Sequence, residues 1–222
     1  LNDVANQLGI ANEQIANHER VVMLALTDGM TGLLNRRAFF EEELPRRFTR
    51  LQRNKQFAAM FYLDMDNFKK VNDVHGHQAG DEAIMALRDL MREYSRPGDE
   101  IARLGGDEFA MWLDNIAPEV AIKRAETLIK ASERLRKFSG MPEYPLGISL
   151  GVALYDPATG ETLEHLLGRS DEAMYAIKRA GKGGFRVAPP ASCERTPDGV
   201  TPADMSTPPG PTEAAAPEPK PR

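Results

Sequence analysis

Cysteine and long apolar runs are scarce in this 222-residue sequence. The single cysteine, Cys193, excludes an intrachain disulfide and a multi-cysteine zinc site. No apolar run approaches the roughly 20 residues that a membrane-spanning helix needs, so we expect no membrane contact within this chain. The formal net charge of -5 argues against a protein that coats a nucleic acid polymer. The 41% hydrophobic content is ordinary for a chain with one sizeable core.

The C-terminal segment, residues 188–222, differs in composition from the rest of the chain. It holds ten of the 16 prolines and contains no Phe, Tyr or Trp. Such a segment cannot bury enough apolar surface to form a core. We therefore expect a disordered, Pro-rich tail.

The N-terminal segment, residues 1–26, carries a heptad pattern. Its strong seam positions are Leu1, Leu8, Ile15 and Val22, and its weaker ones are Val4, Ala11, His18 and Ala25. Two interpretations stay open, an amphipathic helix packed on its own domain and a parallel dimeric coiled coil that carries a signal from an upstream region. Residues 27–187 are then predicted to form the folded domain.

A β-hairpin is predicted over residues 101–113. The segments 101–104 and 109–113 have the apolar character of two short strands. Gly105 and Gly106 lie between them and supply the positive φ angles that a two-residue turn needs. Asp107 and Glu108 follow directly. Carboxylates beside a backbone without side chains suit a hard cation with a phosphate close by, although an ordinary acidic hairpin has the same pattern.

Apolar periodicity and breaker residues predict the other elements. Strands are predicted at 57–63, 146–154 and 185–187, and helices at 36–53 with an interruption at Pro45, at 81–94, at 118–138, and at 163–180 with a break near Gly168. A polar connector is predicted over residues 72–81. This order of elements predicts an α+β fold with a central mixed, mostly antiparallel sheet flanked by helices.

Asp64 follows the predicted buried strand 57–63, at a strand end where α/β folds place ligand groups. The sheet would bring Asp64 near Asp107 and Glu108. Carboxylates that meet at strand tips are typical of a divalent-metal site for nucleotidyl transfer.

Eight segments, in this order along the chain, resemble the motifs of GGDEF-domain diguanylate cyclases. They are Asp28-Gly-Met-Thr-Gly-Leu-Leu-Asn-Arg-Arg37, Asp64-Met-Asp-Asn-Phe-Lys69, Asn72-Asp73, Gly76-His77, Gly80-Asp81, Arg103-Leu-Gly-Gly-Asp-Glu-Phe109, Ser149-Leu-Gly151 and Asp171-Glu-Ala-Met-Tyr-Ala-Ile-Lys178. The resemblance covers about residues 27–187 and implies the palm-like fold of nucleotide cyclases. It implies synthesis of cyclic di-GMP from two GTP molecules, in a dimer whose active sites face each other.

The resemblance also implies roles for the acidic residues. Asp64, Asp107, Glu108 and the backbone carbonyl of Met65 would hold Mg²⁺ or Mn²⁺, with two ions per active site. Asp107 or Glu108 would assist deprotonation of the GTP 3′-hydroxyl.

Other positions are implied to bind GTP. Asn72 and Asp81 would recognise guanine, and a carboxylate at position 81 accepts hydrogen bonds from guanine N1–H and N2–H₂, which adenine cannot donate together. An N-cap of the following helix is the structural alternative for Asp81. The triphosphate would lie against Gly105, Gly106 and the backbone amides of Asn67 and Phe68, and would be neutralised by Lys178 and Lys182. A solvated helix end is the alternative for the two lysines.

Arg96-Pro-Gly-Asp99 lies in the register of the family's inhibitory product site. Arg96 and Asp99 would bind cyclic di-GMP, and Lys123 or Arg124 of a second subunit would complete the contact. A turn closed by a local Arg–Asp ion pair is the alternative.

The resemblance leaves other functions open. A silent module that binds GTP or cyclic di-GMP is one, and a bare dimerisation domain is another. We expect a cytoplasmic location, either for a complete protein or for the cytoplasmic part of a longer, membrane-bound sensor.

Overall fold

A computed structural model describes residues 25–191, which contain a six-stranded mixed sheet. The strands are β1 Leu34–Asn35, β2 Ala58–Asp66, β3 Glu100–Gly105, β4 Glu108–Asp114, β5 Gly147–Tyr155 and β6 Gly184–Val187. Their spatial order is β1-β3-β4-β2-β5-β6. The four central strands pair antiparallel, and the two edge strands pair parallel with their neighbours. The predicted α+β fold with a mostly antiparallel sheet is confirmed.

Five α-helices flank this sheet in the described residues. They are α1 Leu44–Asn54, α2 Phe68–His75, α3 His77–Glu93, α4 Pro118–Ser132 and α5 Leu163–Ala180. A π-helical turn, Ala38–Glu43, precedes α1, and a 3₁₀ helix, Glu133–Phe138, follows α4. Asn35 Oδ1 accepts a hydrogen bond from the Ala38 N–H at 2.9 Å, which begins the π-helical turn.

Strand β2 is covered on both faces, because its successive side chains enter two different cores. Phe61 and Leu63 pack in the core that α3 and α4 cover, whereas Met60 packs in the core beneath α1 and α5. Burial on both faces explains why the sequence of β2 is almost continuously apolar up to its end. The polar residues at that end stand out for the same reason.

Glycine at position 151 allows α5 to pack closely on the sheet. A Cβ atom at this position would overlap the backbone oxygen of Ser170 in α5. The close approach fixes α5 against β5 and so places the C-terminal half of this helix beside the end of β2.

Several predicted boundaries are wrong. The segment 72–80 is helical rather than a polar connector, since α2 and α3 meet at Gly76, whose φ is 82°. Helix α3 therefore begins at His77 instead of Asp81. Helix α5 is continuous through Gly168, because a single helical glycine costs only about 1 kcal/mol relative to alanine. Pro45 lies in the first turn of α1, where its missing N–H is tolerated, and the π-helical turn precedes it.

The heptad pattern and the Pro-rich tail fall almost wholly outside the described residues, and the domain boundaries stay predictions. In the described range 25–191, no helix combines the length and apolar character required to cross a bilayer.

Candidate active site

The sheet brings the two predicted acidic positions together. In the antiparallel register of β2 and β4, Asp64 lies directly opposite Glu108. The next N–H along β2, that of Met65, donates to the backbone oxygen of Asp107 at 3.1 Å. Asp64 is more than 40 positions from Asp107 and Glu108 in sequence, yet the three residues are neighbours at the adjoining ends of β2 and β4.

The hairpin turn is displaced by one residue from its prediction. Strand β3 continues through Gly105, and the turn consists of Gly106 and Asp107. A register shift between Arg103 and Gly105 accounts for the displacement. Gly105 and Gly106 have φ angles of 145° and 51°, so both positions favour glycine, as the sequence predicts. Asp107 consequently lies in the turn itself rather than on the strand.

Arg103 holds this turn from outside. Its Nε and Nη2 atoms donate to the backbone oxygen of Gly106 at 3.0 and 2.8 Å. Its Nη1 atom donates to Asp28 Oδ1 at 3.1 Å. Burial raises the pKa of the Asp28 carboxyl, but the hydrogen bonds from Thr31 and Arg103 outweigh burial and lower the pKa overall. The carboxylate of Asp28 is therefore a stable partner for Arg103 at neutral pH.

Asp64 is buried and 4% exposed. Burial raises the pKa of its carboxyl to about 6, the Lys178 hydrogen bond opposes this rise, and the negative charge of Asp107 adds to it. Lys178 Nζ lies 2.5 Å from Asp64 Oδ2. Lys178, which the resemblance assigns to phosphate, thus neutralises the acidic cluster in this structure.

The residues around Asp64 fit a hard divalent cation in their chemistry. Their donors are carboxylate oxygens, which Mg²⁺ and Mn²⁺ prefer. The pKa of Asp64 is raised, and the Lys178 ammonium contacts its carboxyl. A cation bound here would therefore stabilise the charged form of Asp64. Within residues 25–191, no three or more His, Cys, Asp or Glu side chains converge as a ready-made metal site.

The loop after β2 is joined to the loop after α5. Asn67 adopts φ 60°, donates through Nδ2 to the Pro145 carbonyl at 3.0 Å, and accepts through Oδ1 from Lys182 Nζ at 2.9 Å. Phe68 begins α2 immediately afterwards. The first N–H groups of a helix have no intrahelical partner, so the predicted phosphate-binding amides lie at a suitable helix end.

The predicted guanine-binding residues lie on the two helices that follow. Asn72 is in α2, and its buried Oδ1 atom has no hydrogen-bond partner within the described part of the chain. Gly80 packs against it, since a Cβ at Gly80 would overlap Asn72 Oδ1 and lie 3.0 Å from Asn72 Cγ. Asp81 is exposed in the second turn of α3, so the alternative role as an N-cap is wrong.

Asp66 is a site residue to which the sequence assigned no role. It is buried, and its Oδ1 atom accepts from Ser149 Oγ at 2.7 Å. Its Oδ2 atom accepts from the backbone N–H of Gly183 at 2.8 Å. Asp66 therefore fixes the loop that carries Lys182. The alternation Asp64-x-Asp66 was its only sequence signal, because the partners of Asp66 are more than 80 residues away in sequence.

Arg96 and Asp99 form the local pair that their spacing predicts. Arg96 Nε lies 3.2 Å from Asp99 Oδ1, and the Arg96 N–H donates to Asp99 Oδ2 at 2.9 Å. Arg124 also pairs with Asp99, within the same chain, and its side chain is only 17% exposed. The structure thus places all three predicted product-site residues together on one chain. Lys123 points to solvent with a 3.6 Å contact to Glu126.

Two arginines of α1, which the sequence did not single out, lie next to this turn. Arg47 and Arg50 both pair with Asp114, whose backbone oxygen also accepts from Arg96. Arg47 further donates to the Gly98 carbonyl at 2.9 Å. Arg47 and Arg50 therefore belong to a network of paired arginines and carboxylates that surrounds the Arg96–Asp99 turn.

Known proteins are similar to this chain in sequence. DgcC of Escherichia coli, a probable diguanylate cyclase, is 37% identical over 176 residues, which cover 79% of this chain and 47% of DgcC. MucR of Pseudomonas aeruginosa, a bifunctional diguanylate cyclase/cyclic di-GMP phosphodiesterase, is 36% identical over 170 residues, which cover 77% of this chain and 24% of MucR. The chain thus spans between about a quarter and a half of the length of these relatives.

Solved structures are similar as well. The coiled coil and GGDEF domain of DgcB from Caulobacter crescentus, in complex with c-di-GMP, has a TM-score of 0.71 and 30% identity, covering 83% of this chain and 96% of that one. The GGDEF domain of TpbB from Pseudomonas aeruginosa has a TM-score of 0.65 and 36% identity, covering 73% of this chain and 94% of that one. Residues 25–184 match the family described as "Diguanylate cyclase, GGDEF domain". This chain therefore belongs to the GGDEF-domain diguanylate cyclase family.

Proposed function

We propose that this chain is a diguanylate cyclase, which condenses two GTP molecules into cyclic di-GMP and two pyrophosphates. The observation that carries the proposal is the position of Asp64 directly opposite Glu108, beside the Gly106–Asp107 turn. This arrangement places hard oxygen donors at the adjoining ends of two strands, where a triphosphate and its metal ion would bind.

The guanine base is proposed to bind between α2 and α3. The unpartnered Asn72 Oδ1 supports this role, because a buried acceptor without a partner is costly unless a ligand donates to it. The exposed carboxylate of Asp81 would accept from guanine N1–H and N2–H₂. An adenine base would leave Asp81 without these donors, so the pair selects GTP over ATP.

The triphosphate is proposed to lie along the β2–α2 loop. The backbone amides of Asn67 and Phe68 would bind its oxygens, and Lys178 and Lys182 would neutralise its charge. Both lysines already contact residues of this loop or of β2, namely Asn67 and Asp64. Binding of the nucleotide would transfer Lys178 from Asp64 to a phosphate and release the carboxylate.

Asp64, Asp107 and Glu108, with the Met65 carbonyl, are proposed to hold the divalent metal ions, two per site. When bound, Mg²⁺ or Mn²⁺ stabilises charge on the phosphate oxygens and lowers the pKa of the attacking hydroxyl. Asp107 or Glu108 would accept the proton from the GTP 3′-hydroxyl. The positive φ angles of Gly105 and Gly106 leave the turn backbone open for close approach of the substrate.

Two copies of the chain are required, because each domain binds one GTP and each 3′-oxygen attacks the α-phosphate of the other GTP. The N-terminal heptad segment would raise the effective concentration of one domain beside the other. Such a dimer would work in the cytoplasm, where GTP is available.

Product feedback is proposed at the Arg96–Asp99 turn. DgcB is similar to this chain and its structure contains c-di-GMP. An arginine fork can bind a phosphate and the O6/N7 edge of guanine, and the Arg96 side chain is 43% exposed. The Asp99 side chain is buried and paired with Arg96 and Arg124, so it would orient these arginines instead of accepting from guanine as the resemblance implies. Product that joins this turn to a second subunit would keep the two active sites apart.

The experiment is incubation of the purified 222-residue chain with GTP and MgCl₂, followed by chromatographic measurement of cyclic di-GMP. We expect one cyclic di-GMP for every two pyrophosphates. The Asp107→Ala variant should make no product and should have the same melting temperature as the wild type. Bound but unreacted GTP would instead establish the rival function, a silent binding module. The retention of Asp64, Asp107 and Glu108 argues against that rival.

A further inference from the structure

A groove of about 560 Å³ lies between the π-helical turn and α5. One wall carries Arg36, Phe40 and Glu41, the other carries Gly168 and Asp171, and Tyr62 of β2 forms part of the floor. We call this feature the Tyr62 groove. No role has been assigned above to any of these six residues.

The Tyr62 groove adjoins the proposed active site. Tyr62 and Asp64 are two residues apart on β2, so both side chains project from the same face of the sheet. Tyr62 lies opposite Ala110, and Asp64 lies opposite Glu108, in the same strand register. Tyr62 and Asp64 are therefore on the same face of the sheet, and the groove lies beside the buried Asp64.

The two walls of the groove carry charges that have no ion-pair partner in the described part of the chain. Within residues 25–191, Arg36, Glu41 and Asp171 form no ion pair. Arg36 lies over the ring of Phe40, 5.3 Å from its centroid, and its side chain also hydrogen-bonds to Tyr62. Arg36 and Asp171 form no ion pair with each other, although both act on the Tyr62 hydroxyl.

We propose that the Tyr62 groove is the contact surface for a second copy of this chain in the catalytic dimer, with Arg36 of each copy pairing with Asp171 of the other. This inference rests on the proposed function, which requires two GTP-bearing faces to meet. A twofold interface must be self-complementary, and a surface with one unpaired cation and one unpaired anion on opposite sides of a groove meets that condition. The aromatic rings of Tyr62 and Phe40 supply the apolar centre of the contact.

Charge reversal provides the test, with the full chain and the rate of cyclic di-GMP synthesis as the readout. Arg36→Asp alone places two carboxylates together at both ends of the twofold contact, and Asp171→Arg alone places two guanidinium groups together. Because like charges at an interface are strongly unfavourable, each variant should lose about tenfold or more of its rate at low protein concentration. Co-expression of the two variants creates mixed dimers, each with two contacts between the copies. In one contact both side chains are wild type, and in the other both side chains are reversed in charge. Both contacts of a mixed dimer therefore join opposite charges.

Random pairing makes half of these dimers mixed, so the co-purified sample should recover about half of the wild-type rate. The Arg36→Asp/Asp171→Arg double variant should recover activity as well. If Arg36 and Asp171 instead paired within one chain, only the double variant would recover activity. Absence of rescue in the mixed sample would therefore overturn the proposal.

A second test blocks the groove without disturbing the fold. A Cβ at Gly168 meets no atom within 4 Å, so a larger side chain there extends into open space on the wall of the groove. Gly168→Tyr should melt no lower than wild type and still bind GTP, but should lose about tenfold or more of its synthesis rate. Glu172→Tyr, at an exposed position of α5 outside the groove, is the matched control and should retain the wild-type rate.

The outcomes separate this inference from the proposed function. If the wild-type chain makes no cyclic di-GMP, the proposed function fails. If wild type is active and Gly168→Tyr is equally active at every protein concentration, the second copy does not dock in the Tyr62 groove.

Discussion

Arg103 connects Asp28 to the backbone of the Gly106–Asp107 turn. One side of its guanidinium donates to Asp28 Oδ1 at 3.1 Å, and the other donates to the Gly106 carbonyl at 2.8 Å. Asp28 lies at the entry of the described domain, directly after the segment that carries the heptad pattern. The turn that presents Asp107 is therefore held by the same side chain that anchors the domain's entry loop.

Replacement of Arg103 by alanine should reduce catalysis more than folding. Loss of hydrogen bonds to a charged group should lower the free energy of unfolding by about 1–3 kcal/mol. The freed turn should cost about 10- to 100-fold in kcat, because a displacement near 1 Å at a reacting group has effects of that size. Arg92→Ala is the control, since Arg92 reaches the same entry loop through a 3.4 Å contact with the Gly32 carbonyl but does not touch the turn. Equal losses of kcat in the two variants would contradict a specific role for Arg103.

Asp64→Asn should abolish synthesis and leave the melting temperature equal or higher at pH 8. Because the pKa of Asp64 is raised to about 6, its charged form destabilises the folded protein above about pH 6. The neutral amide of asparagine does not have this destabilising charge. Lys178 is 31% exposed, so water can solvate it after the substitution. Scanning fluorimetry should also show loss of the stabilisation that Mg²⁺ and a non-hydrolysable GTP analogue give the wild type.

Asp66→Asn is the matched control for that experiment. Its two oxygens accept from Ser149 Oγ and the Gly183 N–H, so an amide nitrogen would face one of these donors. We expect Asp66→Asn to lower stability by about 1–3 kcal/mol. A large drop in melting temperature for Asp64→Asn instead would mean that Asp64 has mainly a structural role.

Gly80→Ala should weaken GTP binding although alanine favours a helix. The added Cβ would overlap Asn72 Oδ1, which must shift away from the guanine site. We expect KM for GTP to rise about tenfold, the effect of losing one good hydrogen bond to the base. Gly168→Ala, also in a helix but with open space around its Cβ, should keep the wild-type KM and gain up to about 1 kcal/mol of stability. Unchanged KM in Gly80→Ala would remove Asn72 from the guanine site.

Arg96→Ala should keep its initial rate within about twofold and no longer slow as cyclic di-GMP accumulates. Arg96 contacts Asp114, which is at the other end of β4 from Glu108 and Asp64. Progress curves and calorimetric titration with cyclic di-GMP provide the measurement. Arg134→Ala removes an exposed arginine that pairs with Glu93 at 2.8 Å and should leave inhibition intact. Equal product affinity in wild type and Arg96→Ala would refute an inhibitory site at this turn.

Deletion of residues 1–24 should make the specific activity depend more steeply on protein concentration. Ala25 is retained because its carbonyl accepts from Asn35 Nδ2 at 2.8 Å. If the heptad segment pairs two chains, its removal lowers the effective concentration of one domain beside the other. An identical concentration dependence with and without the segment would indicate that it packs on its own domain.

Local sequence indicated strands β2 to β6, the turn chemistry and the identity of the acids, whereas the two-residue strand β1 was not predicted. Gly105 and Gly106 have the positive φ angles expected of them, and the apolar run before Asp64 forms the buried strand β2. These features depend on backbone sterics and on apolar periodicity over a few residues, which a single segment contains. The family resemblance then joined the separate segments into one expected site.

Tertiary structure alone decided which partner each site residue has. Lys178 neutralises Asp64, Asp66 holds the Gly183 loop, and Arg124 joins Asp99 of its own chain. The helical state of residues 72–80 also depends on packing, because Gly80 must approach Asn72 closely between α2 and α3. Strand register and close helix packing set these distances, and both arise from contacts between residues far apart in sequence. Composition and spacing do not show which distant residues come into contact. The acidic site residues could therefore be identified from the sequence, whereas the partners of their side chains could not.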